Sequence, residues 1–167
     1  MSGITEAIER FFLETVGPEL CVFFCSMLPI IECRGAIPLG CFALKLPWWQ
    51  NFLLAAAGNI LPAPFILLFI RAILRWMANC RVKLFNRIAG WLNRKVEKHK
   101  GTIEKYSYWG VMIFVAVPLP GTGAWTGSLI AAMLGMDWKK SSLAAVLGVL
   151  IACTIMTVFS YALNIVI

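Results

Sequence analysis

Apolar residues in this chain gather into stretches of two lengths. Two stretches, 51–76 and 141–167, are long enough to cross a bilayer, since a spanning helix needs about 20 apolar residues. The others are short and come in pairs around a polar interruption. Glu19 to Ile31 and Ala36 to Leu46 flank IIECRGAIPLG, Ile30 to Gly40. Tyr106 to Val117 and Ser128 to Met136 flank VPLPGTGAWTG, Val117 to Gly127. None of these arms spans a membrane alone. Irregular backbone at membrane depth persists only where it is buried in protein or lines a wet cavity. The pattern therefore predicts an all-α integral membrane fold with two re-entrant hairpins, each followed by one crossing helix. Their tips are expected to meet near the midplane and form a site. Pro62 and Pro64 lie inside the first long helix and predict a kink there.

Two further segments show helical periodicity with one polar face. Ile4, Ile8, Phe11 and Phe12 oppose Glu6, Glu9, Arg10 and Glu14, and Gly17-Pro18 ends the run, as expected of a helix lying on the membrane surface. Apolar residues recur at 77, 80, 84, 88 and 91, with Asn79, Lys83, Asn86 and Arg87 on the other side, which is a 3.6-residue period. The organisation expected is a single membrane domain, 1–167. Within it lie repeat one at 19–76, a basic amphipathic linker at 77–105 and repeat two at 106–167.

The two halves align without a gap. With Pro29 set on Pro118, Trp49 falls on Trp138, Leu54-Ala55-Ala56 on Leu143-Ala144-Ala145, and Leu61 on Leu150. A hairpin returns to its own side, so hairpin plus one helix makes an odd number of crossings. The second half is then inverted relative to the first, an arrangement found in secondary transporters.

Composition excludes a soluble domain. Hydrophobic residues make up 60%, against roughly 45–50% in a soluble domain, and mean hydropathy is +0.82. The net charge of +7 is unevenly spread. Most of the Lys and Arg residues lie between Arg71 and Lys105, opposed there only by Glu97 and Glu104. The positive-inside rule makes that segment cytoplasmic and both termini external, in the plasma membrane. Nucleic acid is not an expected partner, because no reading module accompanies the basic residues. The N-terminus lacks a basic leader followed by an apolar core, so no cleavable signal is expected. Six cysteines (21, 25, 33, 41, 80 and 153) show no CxxC spacing, and His99 is the sole histidine. The cysteines read as small packing residues, with no metal or cofactor expected.

Candidate chemistry sits at the tips. Glu32 and Arg34 are the ionisable residues of an otherwise apolar stretch, and intramembrane charge is expensive. Gly35 and Pro38 favour non-helical backbone, and in an extended segment residues two apart face one side. One reading is a site where Arg34 holds an anionic group and Glu32 exchanges a proton, burial favouring its protonated form. The other is an ion pair that pins the hairpin. The second tip offers no charge. Pro118, Pro120, Gly121, Gly123 and Gly127 allow tight turns, Thr122 and Thr126 bring hydroxyls, and Trp125 walls a pocket. Freed N–H groups there suit an anion. Equally, Gly123 and Gly127 have the spacing of a close helix contact. Asn59, on the first long helix, is a candidate for reaching the cavity.

ECRGAIP (Glu32 to Pro38) and PLPGTGAWTG (Pro118 to Gly127) resemble the small multidrug export family. The layout also resembles the DedA/VTT superfamily, whose members pair two re-entrant hairpins. That resemblance implies lipid movement and dependence on the proton gradient. It casts Glu32 and Arg34 as the acid and the anion holder, with Pro118, Pro120 and Gly121 forming hairpin two. Thr122 stands where the DedA pattern has an acidic residue, and the arginines that follow hairpin two in that pattern are missing. The expected function is a proton-coupled transporter or flippase of an amphipathic substrate with an anionic or lipid-phosphate head. Membrane lipids and protons are its partners. Alternatives are a lipid scramblase or a non-transporting scaffold, with a homodimer contact at the small residues Ala55 to Gly58. A membrane lipid phosphatase fits worse, because the tips lack a Ser–His pair.

Overall fold

Proline at the start of a helix costs nothing, since its missing N–H would be unpaired there anyway, and Pro18 opens the first helix described. The computed structural model describes residues 17–79, 90, 94, 107–119 and 122–166. Helices α1 (Pro18–Met27) and α2 (Glu32–Pro38) are followed by α3 (Trp48–Ile60) and α4 (Pro62–Asn79). Then come α5 (Ser107–Ala116), α6 (Ala124–Met133) and α7 (Trp138–Val166). Among the described residues there is no β-strand. The expected surface helix at 3–16 lies outside the described residues, as does most of 77–91; residues 77–79 continue α4.

The order short helix, turn, short helix, long helix occurs twice. Two helices are long and apolar enough to cross a membrane, Trp48–Ile70 and Trp138–Ile165. Only 39% of each is buried within the protein. Leu53, Phe65, Phe69, Leu143, Val158 and Phe159 all point outward. A soluble core helix hides its apolar residues, whereas lipid accepts them. The first crossing breaks at Leu61. Pro62 and Pro64 cannot donate to the carbonyls of Gly58 and Ile60, and their rings crowd the preceding turn.

The return arms begin at Glu32 and Ala124, earlier than the sequence suggests. Pro38 was expected to keep the backbone out of a helix. Instead α2 runs through it and loosens into a π-type turn over Leu39–Ala43. There Leu44 N–H reaches Leu39 O at 3.1 Å. Wider winding absorbs what proline disrupts, and single π turns recur at functional positions.

The chain divides into two packed units. The first holds α1, α2, α3 and the later part of α7 from Leu150. Gly58 of α3 lies so close to Phe23 O and Ser26 Oγ of α1 that a Cβ has no room. Val22, Cys33, Ala36, Ile37, Ala55 and Ala152 fill the core. Asn51, near the start of α3, donates from Nδ2 to Tyr161 Oη at 3.1 Å. Further along α3 Asn59, and further back along α7 Cys153, both lie beside Cys33. The two helix segments in this unit therefore run in opposite directions. The second unit holds α4, α5, α6 and the start of α7, up to Val149. In it α4 packs on α6, Gly127 of α6 lies against Val115 of α5, and Gly148 of α7 lies against Met112 O and Val115.

Candidate functional site

Hairpin one turns within four residues. Leu28 N–H closes on Cys25 O at 3.2 Å, and Glu32 N–H reaches back to Leu28 O at 2.9 Å. Glu32 takes a φ of 50°, a left-handed conformation that costs a non-glycine residue on the order of 1–3 kcal/mol. It starts α2 rather than lying in an extended strand, which corrects the backbone expected for this tip. On a regular helix residues two apart diverge. Here the Arg34 guanidinium Nε still lies 3.9 Å from Glu32 Oε2, because the left-handed step carries the Glu32 side chain off the helical path. Glu32 is 5% exposed, and the Arg34 side chain is 17% exposed. Gly35, on the same helix turn, sits where a Cβ would press on Ile31. Pro38 is half-buried at the switch to the wider turn.

The same unit buries several other polar side chains. The Cys33 thiol lies beside Cys153 and Asn59. Asn59 is 1% exposed, and its Oδ1 has no hydrogen-bond partner. Thr157 Oγ1 and Ser160 Oγ on α7 are likewise buried and unpartnered. Buried polar atoms in folded proteins are nearly always paired, so such a group of exceptions asks for an explanation. One position along, Asn51 is fully buried. Its Nδ2 donates to Ile37 O at 2.8 Å. Tyr161 Oη–H donates to Leu46 O at 2.5 Å. The change from α to π winding leaves a carbonyl near Ile37 short of its usual donor, and Asn51 supplies one. Gly40 is required beside it, since a Cβ there would overlap the Asn51 amide.

Hairpin two is built differently. Thr122 Oγ1–H is shared between Val117 O at 2.9 Å and Leu119 O at 2.8 Å. Its hydroxyl proton therefore serves the turn. Gly123 precedes α6 with a φ of 133°, a region open to glycine and closed to most other residues. Gly127 packs on Val115, Phe114 and Val111, so this member of the glycine pair makes a close helix contact. Thr126 is buried, Trp125 and Pro118 are half-buried, and Ser128 Oγ is buried without a partner. Pro120 and Gly121 lie outside the described residues.

Of the residues singled out in the sequence, Glu32, Arg34, Gly35 and Asn59 gather in the first unit. Thr122 and Gly123 shape their own turn. Sequence reading overlooked Asn51, Tyr161 and the Cys33–Cys153 pair. Asn51 follows two tryptophans and looked like a boundary residue. No spacing rule links Cys33 to a cysteine on the last helix. Thr154 bonds Leu150 O at 2.8 Å, as a helix threonine usually does, but Thr157 and Ser160 do not find partners. The described cysteines are all free.

The sequence profile of the family described as "Putative small multi-drug export protein" matches residues 32–155. No curated protein and no solved structure matches the chain. The matched span opens on Glu32 itself and covers both tips and most of both long helices.

Proposed function

The chain belongs to the small multi-drug export protein family, and we propose that it is a proton-coupled transporter of an amphipathic substrate, with Glu32 and Arg34 as its working pair. It is a membrane protein by its family and by its two long apolar helices. The observation that carries the proposal is the placement of Glu32. A buried carboxyl stands on a strained residue, beside a guanidinium, in a unit that also buries unpartnered polar atoms. A structural ion pair needs none of that strain. Arg34 would hold an anionic or phosphate head, releasing Glu32 to accept the proton that accompanies it. The unpaired Asn59 Oδ1 favours a second reading, in which the substrate donates a hydrogen bond, as a lipophilic ammonium does, and Glu32 is its counter-charge.

The topology proposed is an inverted repeat of re-entrant hairpin plus crossing helix. Opposed helix directions within the first unit support it, and so does the repeated order of elements. Lys45 then lies outside the cell and Lys139 in the cytoplasm, following the excess of basic residues around 71–105. The paired hairpins make the DedA/VTT-like reading part of the same proposal, and an uncoupled lipid scramblase its nearest competitor.

The test is proton flux in proteoliposomes under an imposed pH gradient, with polyprenyl phosphate, anionic lipid and lipophilic cations offered in turn. Flux that one substrate class switches on and Glu32→Gln abolishes supports the proposal and names the class. Absence of flux with every substrate, in protein shown to be folded, sinks it.

A further inference from the structure

A second candidate site lies in the unit that holds hairpin two. An open groove of about 240 Å³ runs between α5 and the first turns of α7, walled by Trp109, Met112, Leu143 and Leu147, with Tyr108 and Lys140 at the end where both helices begin. Its walls are apolar apart from that end. Trp109 is 69% exposed, and Trp138 and Lys139 lie in the first turn of the crossing helix, just before Lys140. Aromatic rings and lysines together mark the headgroup boundary of a membrane.

Among the described residues no acid neutralises the charge at the groove mouth. Lys140 Nζ lies 5.8 Å from the centre of the Tyr108 ring, and Lys139 Nζ lies 5.7 Å from that of Trp138. Among the described residues no carboxylate is within ion-pair distance of either lysine. The nearest acid in sequence, Asp137, accepts the backbone N–H of Lys140 at Oδ1 (3.0 Å) and so caps α7. An apolar channel ending in Lys140, with Lys139 next to it in sequence, matches one molecule common to every membrane. We propose that the groove binds an anionic phospholipid, one acyl chain lying along it and the phosphate resting at Lys140 and Lys139. Basic pockets at membrane-helix ends hold anionic headgroups in the same way. A zwitterionic lipid fits the channel equally but brings its own ammonium to the lysines. The groove therefore selects by headgroup charge and not by chain.

The experiment uses the full chain in vesicles of either phosphatidylglycerol or phosphatidylcholine with brominated acyl chains, without a pH gradient. Bromine quenches tryptophan on contact, and the Trp109→Phe variant isolates the contribution of the groove. Mixing each brominated lipid against its plain zwitterionic counterpart gives relative affinities. The expected result is a preference for phosphatidylglycerol at Trp109 that falls about fivefold with Lys140→Gln, the ratio worth of one lysine near a headgroup. Lys139→Gln should lower it by a smaller factor. Equal quenching by both lipids, or a preference that survives Lys140→Gln and Lys139→Gln together, overturns the proposal. Both lysines are exposed, so neither substitution threatens the fold. Glu32→Gln keeps the preference if this lipid is separate from the transported substrate. Loss of the preference in Glu32→Gln means that the lipid detected is the cargo and that no separate site exists.

Discussion

Removing Arg34 should injure the protein more than removing the charge it faces, and the two changes together should injure it less than their sum. At 3.9 Å between Nε and Oε2, and with an effective dielectric of about 20, the pair attracts by about 4 kcal/mol. The Arg34 side chain keeps 17% exposure against 6% for Glu32, so it retains more access to other partners when the acid is gone. Arg34→Ala takes the cation away from the more buried charge, and breaking a buried pair from one side costs about 3–5 kcal/mol. Glu32→Gln keeps the shape and leaves the more exposed partner, so we expect a loss of about 1–2 kcal/mol, within the common range for single substitutions. The double variant no longer strands a charge. Its coupling should be about 1–3 kcal/mol, as measured for residues in contact.

The assay is equilibrium unfolding in mixed micelles, titrating the mole fraction of a denaturing detergent and reading tryptophan fluorescence. Wild type, both single variants and the double variant complete the cycle. Additivity within about 0.5 kcal/mol would show that the two groups do not interact. An order reversed, with Glu32→Gln the more damaging, would refute the argument from burial. The same four proteins separate a carrier from a scaffold. A carrier loses substrate-dependent flux in all four except wild type, whereas a scaffold keeps its role in the double variant.

Asn51→Leu removes two hydrogen bonds and strands Ile37 O, which should cost about 2–4 kcal/mol in the same titration; Tyr161→Phe, which removes the hydroxyl that accepts from Asn51 and donates to Leu46 O, should cost less. Gly58→Ala drives a Cβ into Phe23 O, a backbone atom that cannot step aside, so a loss of about 1–3 kcal/mol is expected, while Gly90→Ala, with nothing near it, should leave stability unchanged. Single cysteines at positions 45 and 139, both exposed, should react with an impermeant maleimide from the outside and from the cytoplasm respectively; labelling of both from one side would exclude the inverted topology.

The two long helices and the four short ones were legible because membrane helices carry their signal in composition and length. The break at Leu61 was legible because proline acts locally. The start of α2 was not. Gly35 and Pro38 predict irregular backbone by their own preferences, yet the turn at Leu28–Ile31 needs only four residues and the chain re-enters a helix at once. Tertiary contacts decide this, notably the fit of Gly40 against Asn51. The Glu32–Arg34 pair was found by charge in an apolar run, although its geometry was reached by a different backbone. Asn51–Tyr161 and Cys33–Cys153 join residues from opposite ends of the chain, and no local pattern records such a meeting.

The two tips solve the same problem with opposite means. Each must reverse the chain within a few residues and restart a helix. Tip two does so cheaply: Gly123 takes the left-handed backbone, Thr122 satisfies the loop carbonyls with its own hydroxyl, and Gly127 lets the arms close. Tip one places the left-handed step on Glu32, where glycine would relieve the strain. It buries a carboxyl there, in a unit where Asn59 Oδ1, Thr157 Oγ1 and Ser160 Oγ are buried without partners. If the pair only pinned the hairpin, the local structure of tip two would serve better, without desolvating a charge or straining a residue. The extra cost is concentrated on the one carboxyl at this tip. On the proposed reading that asymmetry marks tip one for ligand and proton, and it makes position 32 the most informative one to change: Glu32→Gly should stabilise the turn while abolishing substrate-dependent proton flux. A more stable protein that still moves protons with its substrate would remove Glu32 from the mechanism.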